Sequence, residues 1–470
     1  MVFHPREGGR KVSLPPMGRR EFLKKSAMTG AAAAGAAAFL AACKPPQSAT
    51  SSSEAARLNL PARPSHPVTL PVDQNAMIDD GLASEAGPLK LYNWESYIGP
   101  STVKAAEKAL GVSIEVTTFN TFDEALSKLS SGQLDADVFF PTNNVVSRLQ
   151  YQKFIRPLNH SYLPNLINVW DSLGGSGNPA EAAKAPFYDQ GSLYTVPYTI
   201  YTTGIAYRVD HGPNAHISMD LAPLEETIPA MDIPYDILWD TKYKGYVHLL
   251  NDTNTINMAI VRNGIHAGVS SDTLRVDVNT DNPATRDKVL AAATDSLIEW
   301  QHTMHGQMDI SDYTDMPEGR SYIHEAWSGD LVSAQYYYAS WSPRDVIRYW
   351  YPPEGGTYGG LIGDDCLAVL TTGKNPVLAH KFLNFMLDFD NSMRNFSWTG
   401  YITPQKQIQA DTQRLLKNSP NPLTPYNVIS PNMASTIVTE DMYKTGYQYL
   451  ELPPKVDDQW TTAWEAIQTA

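Results

Sequence analysis

From Leu89 onward the chain alternates short apolar runs with amphipathic stretches. Leu89-Lys90-Leu91-Tyr92-Asn93 has the period of two expected of a strand. Ser101 is placed to cap a helix carrying Val103, Ala106 and Leu110, which Gly111 closes. Val112-Ser113-Ile114-Glu115-Val116 reads as a second strand. Thr121 and Glu124 form a capping box for a helix with Phe122, Ala125, Leu126 and Leu129 on one face, ending at Gly132. Asp137-Val138-Phe139-Phe140 is a third strand, and a further helix starts between Asn144 and Gln150. This strand-helix-strand-helix-strand order predicts a parallel sheet with right-handed crossovers. Ligands of open α/β sheets sit beyond the carboxyl ends of the strands. Here those ends are Asn93-Trp94-Glu95-Ser96-Tyr97 and Pro141-Thr142-Asn143-Asn144, both unusually polar or aromatic.

The middle of the chain is less regular. Tyr194 to Tyr198 and Gly204 to Tyr207 read as two strands, and the Pro-rich stretch from His211 to Pro234 as a surface insertion. Arg286 to His302 carries Val289, Leu290, Ala293 and Leu297 on one helical face. Asn375 and Pro376 mark the start of another helix, with Phe382, Leu383 and Met386 facing inward. There is no internal repeat.

Residues before Leu89 carry a different signal. Arg19-Arg20-Glu21-Phe22-Leu23-Lys24-Lys25 reads as a twin-arginine export signal, and an Ala-rich stretch from Ala27 to Ala42 follows it. That stretch is too short and too weakly apolar for a membrane span. It ends in Leu40-Ala41-Ala42-Cys43, which has the form of a lipobox whose cysteine takes a diacylglycerol group. Residues 1–43 are thus expected to be a twin-arginine lipoprotein signal, with translation starting at Met1 or Met17. Residues 44–87, rich in Pro, Ser and Ala, are expected to be a flexible tether. The expected location is the outer face of the cytoplasmic membrane or the periplasm.

Composition narrows the function. The 470-residue chain has a formal charge of −14; losing residues 1–43 removes seven of its 36 basic and two of its 50 acidic side chains, leaving −19. Such a surface excludes nucleic acid as a partner. It also leaves membrane attachment to the acyl chain. Of the two cysteines, Cys43 is the lipid site and Cys366 sits in an apolar run as a small core residue, so no disulfide is available. Residues 88–470 suffice for two domains.

Several segments together resemble the periplasmic spermidine/putrescine-binding protein family. Tyr92-Asn93-Trp94-Glu95-Ser96-Tyr97-Ile98 resembles its Asn-Trp-x-x-Tyr signature, and Asp135 to Asn144 its third strand and loop. Val196-Pro197-Tyr198, Leu238 to Gly245, Asp365 to Val369 and Gly400-Tyr401-Ile402-Thr403-Pro404 follow in the family's order. The resemblance implies an α/β protein of the type II periplasmic-binding-protein fold, with two lobes, a hinge and a central cleft. Lobe one would comprise residues 88–202 plus 364–410, and lobe two residues 203–363 plus 411–470. The closed form would dock on the membrane subunits of an ABC importer. No cofactor and no metal are implied.

A polyamine is an apolar rod with ammonium ends. Its pocket needs carboxylates at matching spacing and aromatic faces along the methylenes, where each cation–π contact adds about 0.5–2 kcal/mol. By resemblance, Trp94 and Tyr97 are the aromatic pair of the first loop, with Glu95 and Ser96 beside them. Asp365 is the expected ammonium partner and Tyr401 an aromatic hydroxyl in the same lobe. Thr142 and Asn144 are polar contacts, Tyr337 stands where the family carries Trp, and Asp252 where it carries an acidic cluster. Plainer roles exist for each: core or rim aromatics, a strand-end acid, turn formation. Asp364 reads as solvated. Alternation would set Tyr336 and Tyr338 opposite Tyr337.

The departures concern the ligand. The family's paired acids appear only as Asn251-Asp252-Thr253-Asn254-Thr255, Ser96 replaces a common acid, and Gly363 and Ile200 replace aromatics. The solute is therefore a putrescine- or spermidine-like cation, agmatine, or another small molecule with one cationic end. Ferric iron held by tyrosines in the same fold is a second reading, an exported hydrolase a third, and a purely structural lipoprotein a fourth. Against an enzyme, there is no Gly-x-Ser-x-Gly elbow, His324-Glu325 lacks the second histidine of a zinc helix, and the eleven histidines show no metal-like spacing.

Overall fold

A computed structural model describes residues 72–176, 192–210, 219–270, 283–337, 346–448 and 454–470. The expected export signal, the expected lipid site Cys43 and the expected tether up to residue 71 lie outside the described residues, as do Tyr338 and residues 211–218.

The described residues lay down ten strands: β1 (Leu89–Trp94), β2 (Ile114–Phe119), β3 (Val138–Phe139), β4 (Thr195–Arg208), β5 (Val247–Leu250), β6 (Gln307–Asp309), β7 (Ile323–Trp327), β8 (Ile347–Trp350), β9 (Leu361–Val369) and β10 (Tyr447–Gln448). They form one continuous sheet of order β2-β1-β3-β9-β4-β7-β5-β6, with β10 on β9 and β8 on β4. β1 pairs parallel with β2 and β3, as the alternating helices require. The helix over Pro100–Leu110 starts one residue before the expected Ser101, because Gly99 takes the cap and Pro100 the first turn. The helix Phe122–Ser130 is capped by Thr121 Oγ1, which accepts the Glu124 N–H at 3.2 Å.

β4 and β9 organise the molecule. All 14 residues of β4 and all nine of β9 are buried. β4 pairs antiparallel with β9 through Thr203, then with β7 from Thr203 to Tyr207 and with β8 from Ile205 to Arg208. The two strands read from the sequence are therefore one. Both faces of Tyr194 to Arg208 are covered, so no polar alternation marks its middle. At the changeover, Thr202 donates its backbone N–H to Ser328 Oγ at 3.1 Å, and Tyr349 Oη donates to Thr202 O at 3.0 Å.

Two other expectations change. Residues 72–87, read as the end of the tether, strap across the β1–β3 half. Asn159 Nδ2 donates to Ile78 O at 2.9 Å, and the Tyr162 hydroxyl to Asp79 O at 2.9 Å. The Glu85 carboxylate accepts the Val377 and Leu378 N–H groups at 3.1 and 2.8 Å, capping the helix Pro376–Met386. The Pro-rich stretch before Pro234 is no surface insertion where it is described. Its helix Leu224–Ala230 buries Leu224 and Ile228, and Pro234–Trp239 buries Tyr235, Ile237 and Leu238 in the core. The C-terminal helix Pro454–Gln468 returns to the helix Pro283–Met304, where Gln301 Nε2 donates to Ile467 O at 3.2 Å. Among the described residues, no helix is long and apolar enough to cross a membrane.

Candidate functional site

The carboxyl end of β1 faces the middle of β9. Tyr97, just past β1, is buried and donates its hydroxyl to Asp365 Oδ2 at 2.5 Å, with Thr199 Oγ1 of β4 at 2.6 Å. Its ring meets Tyr198 edge-on at 5.4 Å and Tyr401 edge-on at 5.1 Å. Tyr401 in turn donates to Asp330 Oδ1 at 2.8 Å. Asp330 lies in the first turn of the helix Ser328–Tyr337, which follows β7. The result is a row, Asp365, Tyr97, Tyr401, Asp330, buried except at the half-buried Asp330. Gly329 makes the row possible, since a Cβ there would overlap the Tyr401 ring.

A second acid completes the far end. Asp312 is wholly buried, accepts the Trp327 N–H at 3.2 Å, and shares a hydrogen bond with Asp330. Glu325 of β7 lies nearby in the chain, its Oε2 accepting the Leu250 N–H at 3.2 Å and the Thr255 hydroxyl at 2.9 Å.

These acids resist ionisation. Burial pushes Asp365 up to about 7, against the pull of the Tyr97 hydroxyl; the Asp364 charge adds to the rise. Burial likewise pushes Asp330 up to about 6, offset by its bonds to Asp312 and Tyr401. Asp312 is raised well above the usual range by burial and by the Asp330 charge. Glu325 goes up to about 8 by burial. Asp365 Oδ1 and Glu325 Oε1 are buried without hydrogen-bond partners. Unsatisfied buried acceptors are costly, and an organic cation supplies both the charge and the donors they lack.

The other expected residues fall in three groups. Trp94 is half-buried and donates its indole N–H to Phe140 O at 3.2 Å, with its ring tilted against Phe119 at 4.5 Å. Thr142 forms a bridge with Asp365 through its backbone, while its hydroxyl donates to Asn144 Oδ1 at 2.5 Å. These stand beside the row. Glu95 and Ser96 are exposed, and Ser96 has a left-handed φ of 56°. Asp252 serves the turn into the helix Thr255–His266, accepting the Asn254 N–H at 2.7 Å. Tyr337 ends the helix Ser328–Tyr337, so Tyr336 and Tyr337 are not on a strand and the expected alternation does not apply.

Asp364 is also corrected. It is buried, accepting the Tyr443 hydroxyl at 2.5 Å and the Cys366 thiol at 3.2 Å, because β9 is covered on both faces. The aromatic missing at Gly363 is made up from across the sheet: a Cβ there would come within 2.5 Å of the Tyr201 hydroxyl. Sequence reading missed Asp312, Glu325 and Asp330. Their one signal was an acid in an otherwise apolar run, as in Ile323-His324-Glu325-Ala326-Trp327 and Gly329-Asp330-Leu331-Val332.

An α/β sheet crossed twice by long shared strands, with a buried polar row where they cross, defines a type II periplasmic binding protein. The chain belongs to the bacterial extracellular solute-binding protein family, whose model matches residues 101–421. These are substrate-binding components of ABC transporters, not enzymes. It is 24% identical over 385 residues to the putrescine/agmatine-binding protein of Pseudomonas aeruginosa, spanning 81% of this chain and 91% of that one. It is 23% identical over 394 residues to the putrescine-binding periplasmic protein of Escherichia coli, spanning 83% and 93%. Its fold matches the spermidine/putrescine ABC transporter substrate-binding protein of Streptococcus pneumoniae with a TM-score of 0.55 at 18% identity, covering 81% of this chain and 98% of that one.

Proposed function

We propose that this chain captures a diamine, agmatine or a closely related polyamine between two lobes and presents it to an ABC importer. The lobes are residues 88–202 plus 364–410, and 203–363 plus 411–470. The observation that carries the reading is the row Asp365, Tyr97, Tyr401, Asp330: acids at both ends and two rings between them. An ammonium beside Asp365 and a second beside Asp330 and Asp312 would each ionise a carboxylate that burial holds protonated. The rings offer apolar and π surface to the methylenes. Closure of the lobes strengthens both pairs by excluding water. Trp94, Thr142 and Asn144 line the approach beside Asp365. Glu95, Ser96, Asp252 and Tyr337 remain candidates for contacts made as the lobes move. The names of the curated relatives support the same ligand class.

The mature protein is exported by the twin-arginine route and held at the membrane through lipid on Cys43, a reading that rests on Arg19-Arg20 and Leu40-Ala41-Ala42-Cys43. Titration calorimetry of residues 44–470 with putrescine, cadaverine, agmatine and spermidine tests the ligand. One equivalent of at least one of them should bind; no heat with any of the four would overturn the assignment.

A further inference from the structure

We propose that His248, Asp309 and His324 form a binding site for one divalent transition-metal ion of the Zn²⁺ class. The three residues come from three adjacent strands. β5 and β7 run parallel with His248 directly opposite His324, and their rings lie 5.4 Å apart. β6 flanks β5 in parallel, with Asp309 opposite Leu250, so Asp309 shares the face of His248. One donor atom from each residue lies within 4.8 Å of the others, and among the described residues no other group of histidine, cysteine and acid does this. The separation in sequence, 61 residues and then 15, hides the cluster from any motif.

The hydrogen bonds prepare donors. His324 Nδ1 stands 2.5 Å from the Glu325 carbonyl oxygen. A carbonyl can only accept, so Nδ1 carries a proton, and in the neutral ring Nε2 holds the lone pair a metal needs. That Nε2 belongs to a side chain with 0% exposure and has no hydrogen-bond partner. It lies 3.5 Å from Asp309 Oδ1, so a neutral ring sets acceptor against acceptor. His248 Nδ1 lies 2.9 Å from Asp309 Oδ2. A cation between the three turns this mismatch into three bonds. The outer contacts fit the same role: the Glu325 carbonyl orients one imidazole, and the Ser311 N–H holds Asp309 Oδ1 at 2.7 Å. Asp315 is held by Arg320 through Oδ1; its Oδ2 lies 3.8 Å from His248 Nδ1 and is not among the three clustered donors.

The donor chemistry selects the metal. Two imidazoles and one carboxylate suit Zn²⁺, Co²⁺ or Ni²⁺, whereas Ca²⁺ and Mg²⁺ take oxygen ligands. The histidines are buried, but Asp309 is 22% exposed on the edge strand β6, which supplies the entry path. This proposal stands on residues outside the Asp365–Asp330 row, so either can fail alone.

The test uses residues 44–470 without a histidine tag, stripped with EDTA. Co²⁺ should give visible d–d bands that saturate at one equivalent, and Zn²⁺ should displace it one for one. H324Q and D309N should each weaken Co²⁺ binding at least tenfold. H302Q, at an exposed helix position, should leave it unchanged. Circular dichroism in EDTA checks that each variant is folded; because the wild-type titration is decisive alone, a misfolded variant does not rescue or sink the idea. Absence of Co²⁺ bands and Zn²⁺ binding in the wild type overturns the proposal and leaves a His–Asp–His hydrogen-bond cluster. Binding that survives in folded D309N overturns it equally.

Discussion

The two ends of the carboxylate row are built differently. At one end Asp365 is a single acid on a shared central strand, held by the hydroxyls of Tyr97 and Thr199. At the other, Asp330 and Asp312 share a hydrogen bond and sit at the starts of two helices. A lone acid has no substitute. A pair keeps one proton between its members, because two like charges at contact cannot both ionise cheaply, and can release it to solvent when a cation arrives beside it. The two ends are thus two different devices, a fixed carboxylate and a proton-sharing pair, that the proposed function would have receive one class of cation.

Removing the lone acid should have the largest effect. Asp365→Ala is expected to cost about 2–5 kcal/mol of diamine binding, the range for truncating one partner of a buried charge pair. Calorimetry would show loss of measurable binding, with Asp365→Asn as the shape-preserving check. The pair should tolerate more. Asp330→Asn alone is expected to weaken binding about tenfold, or ~1.4 kcal/mol, while adding Asp312→Asn should bring the loss to that of Asp365→Ala. Equal losses for the single and double variants would break the comparison.

Proton linkage sharpens it further. Burial holds Asp365 near 7 and Asp330 near 6, both above the ordinary carboxylate value. The native chain then binds protons that the unfolded chain has released, so this contribution to stability is full below about pH 4 and is lost as pH rises through 6 and 7. The melting temperature of solute-free wild type relative to Asp365→Asn should therefore fall between pH 5 and pH 8, while diamine affinity rises over the same window. A difference that grows with pH would contradict the assignment. The smallest effect is expected for Tyr401→Phe, which keeps the ring but removes the hydroxyl bond to Asp330. A loss of about 1 kcal/mol in stability is anticipated, read by urea unfolding.

Much of the first half of the fold was legible. The alternation at Leu89, the Thr121–Glu124 box and the Asn375-Pro376 start are local signals, each set by residues within one turn or strand. Asp365, Tyr97 and Tyr401 were named through resemblance, and the structure brings the three into contact. Asp330, Asp312 and Glu325 were not, since a buried acid in an apolar run looks the same whether it faces a site or a hydrogen-bonded core. The strap 72–87 was unreadable for a related reason: its composition is that of a tether, and only contact with Asn159, Tyr162 and the Pro376–Met386 helix orders it.

By itself the amino-acid order determined the α/β class, the parallel β1–β3 unit and the acidic, cysteine-poor character of the chain. Tertiary structure alone decided which charges meet. Residues as far apart as Tyr97 and Asp365, or His248 and His324, become neighbours only through the pairing and register of β4, β9, β5 and β7. Register is a long-range choice made by the whole buried face of a sheet, and no short stretch of sequence carries it.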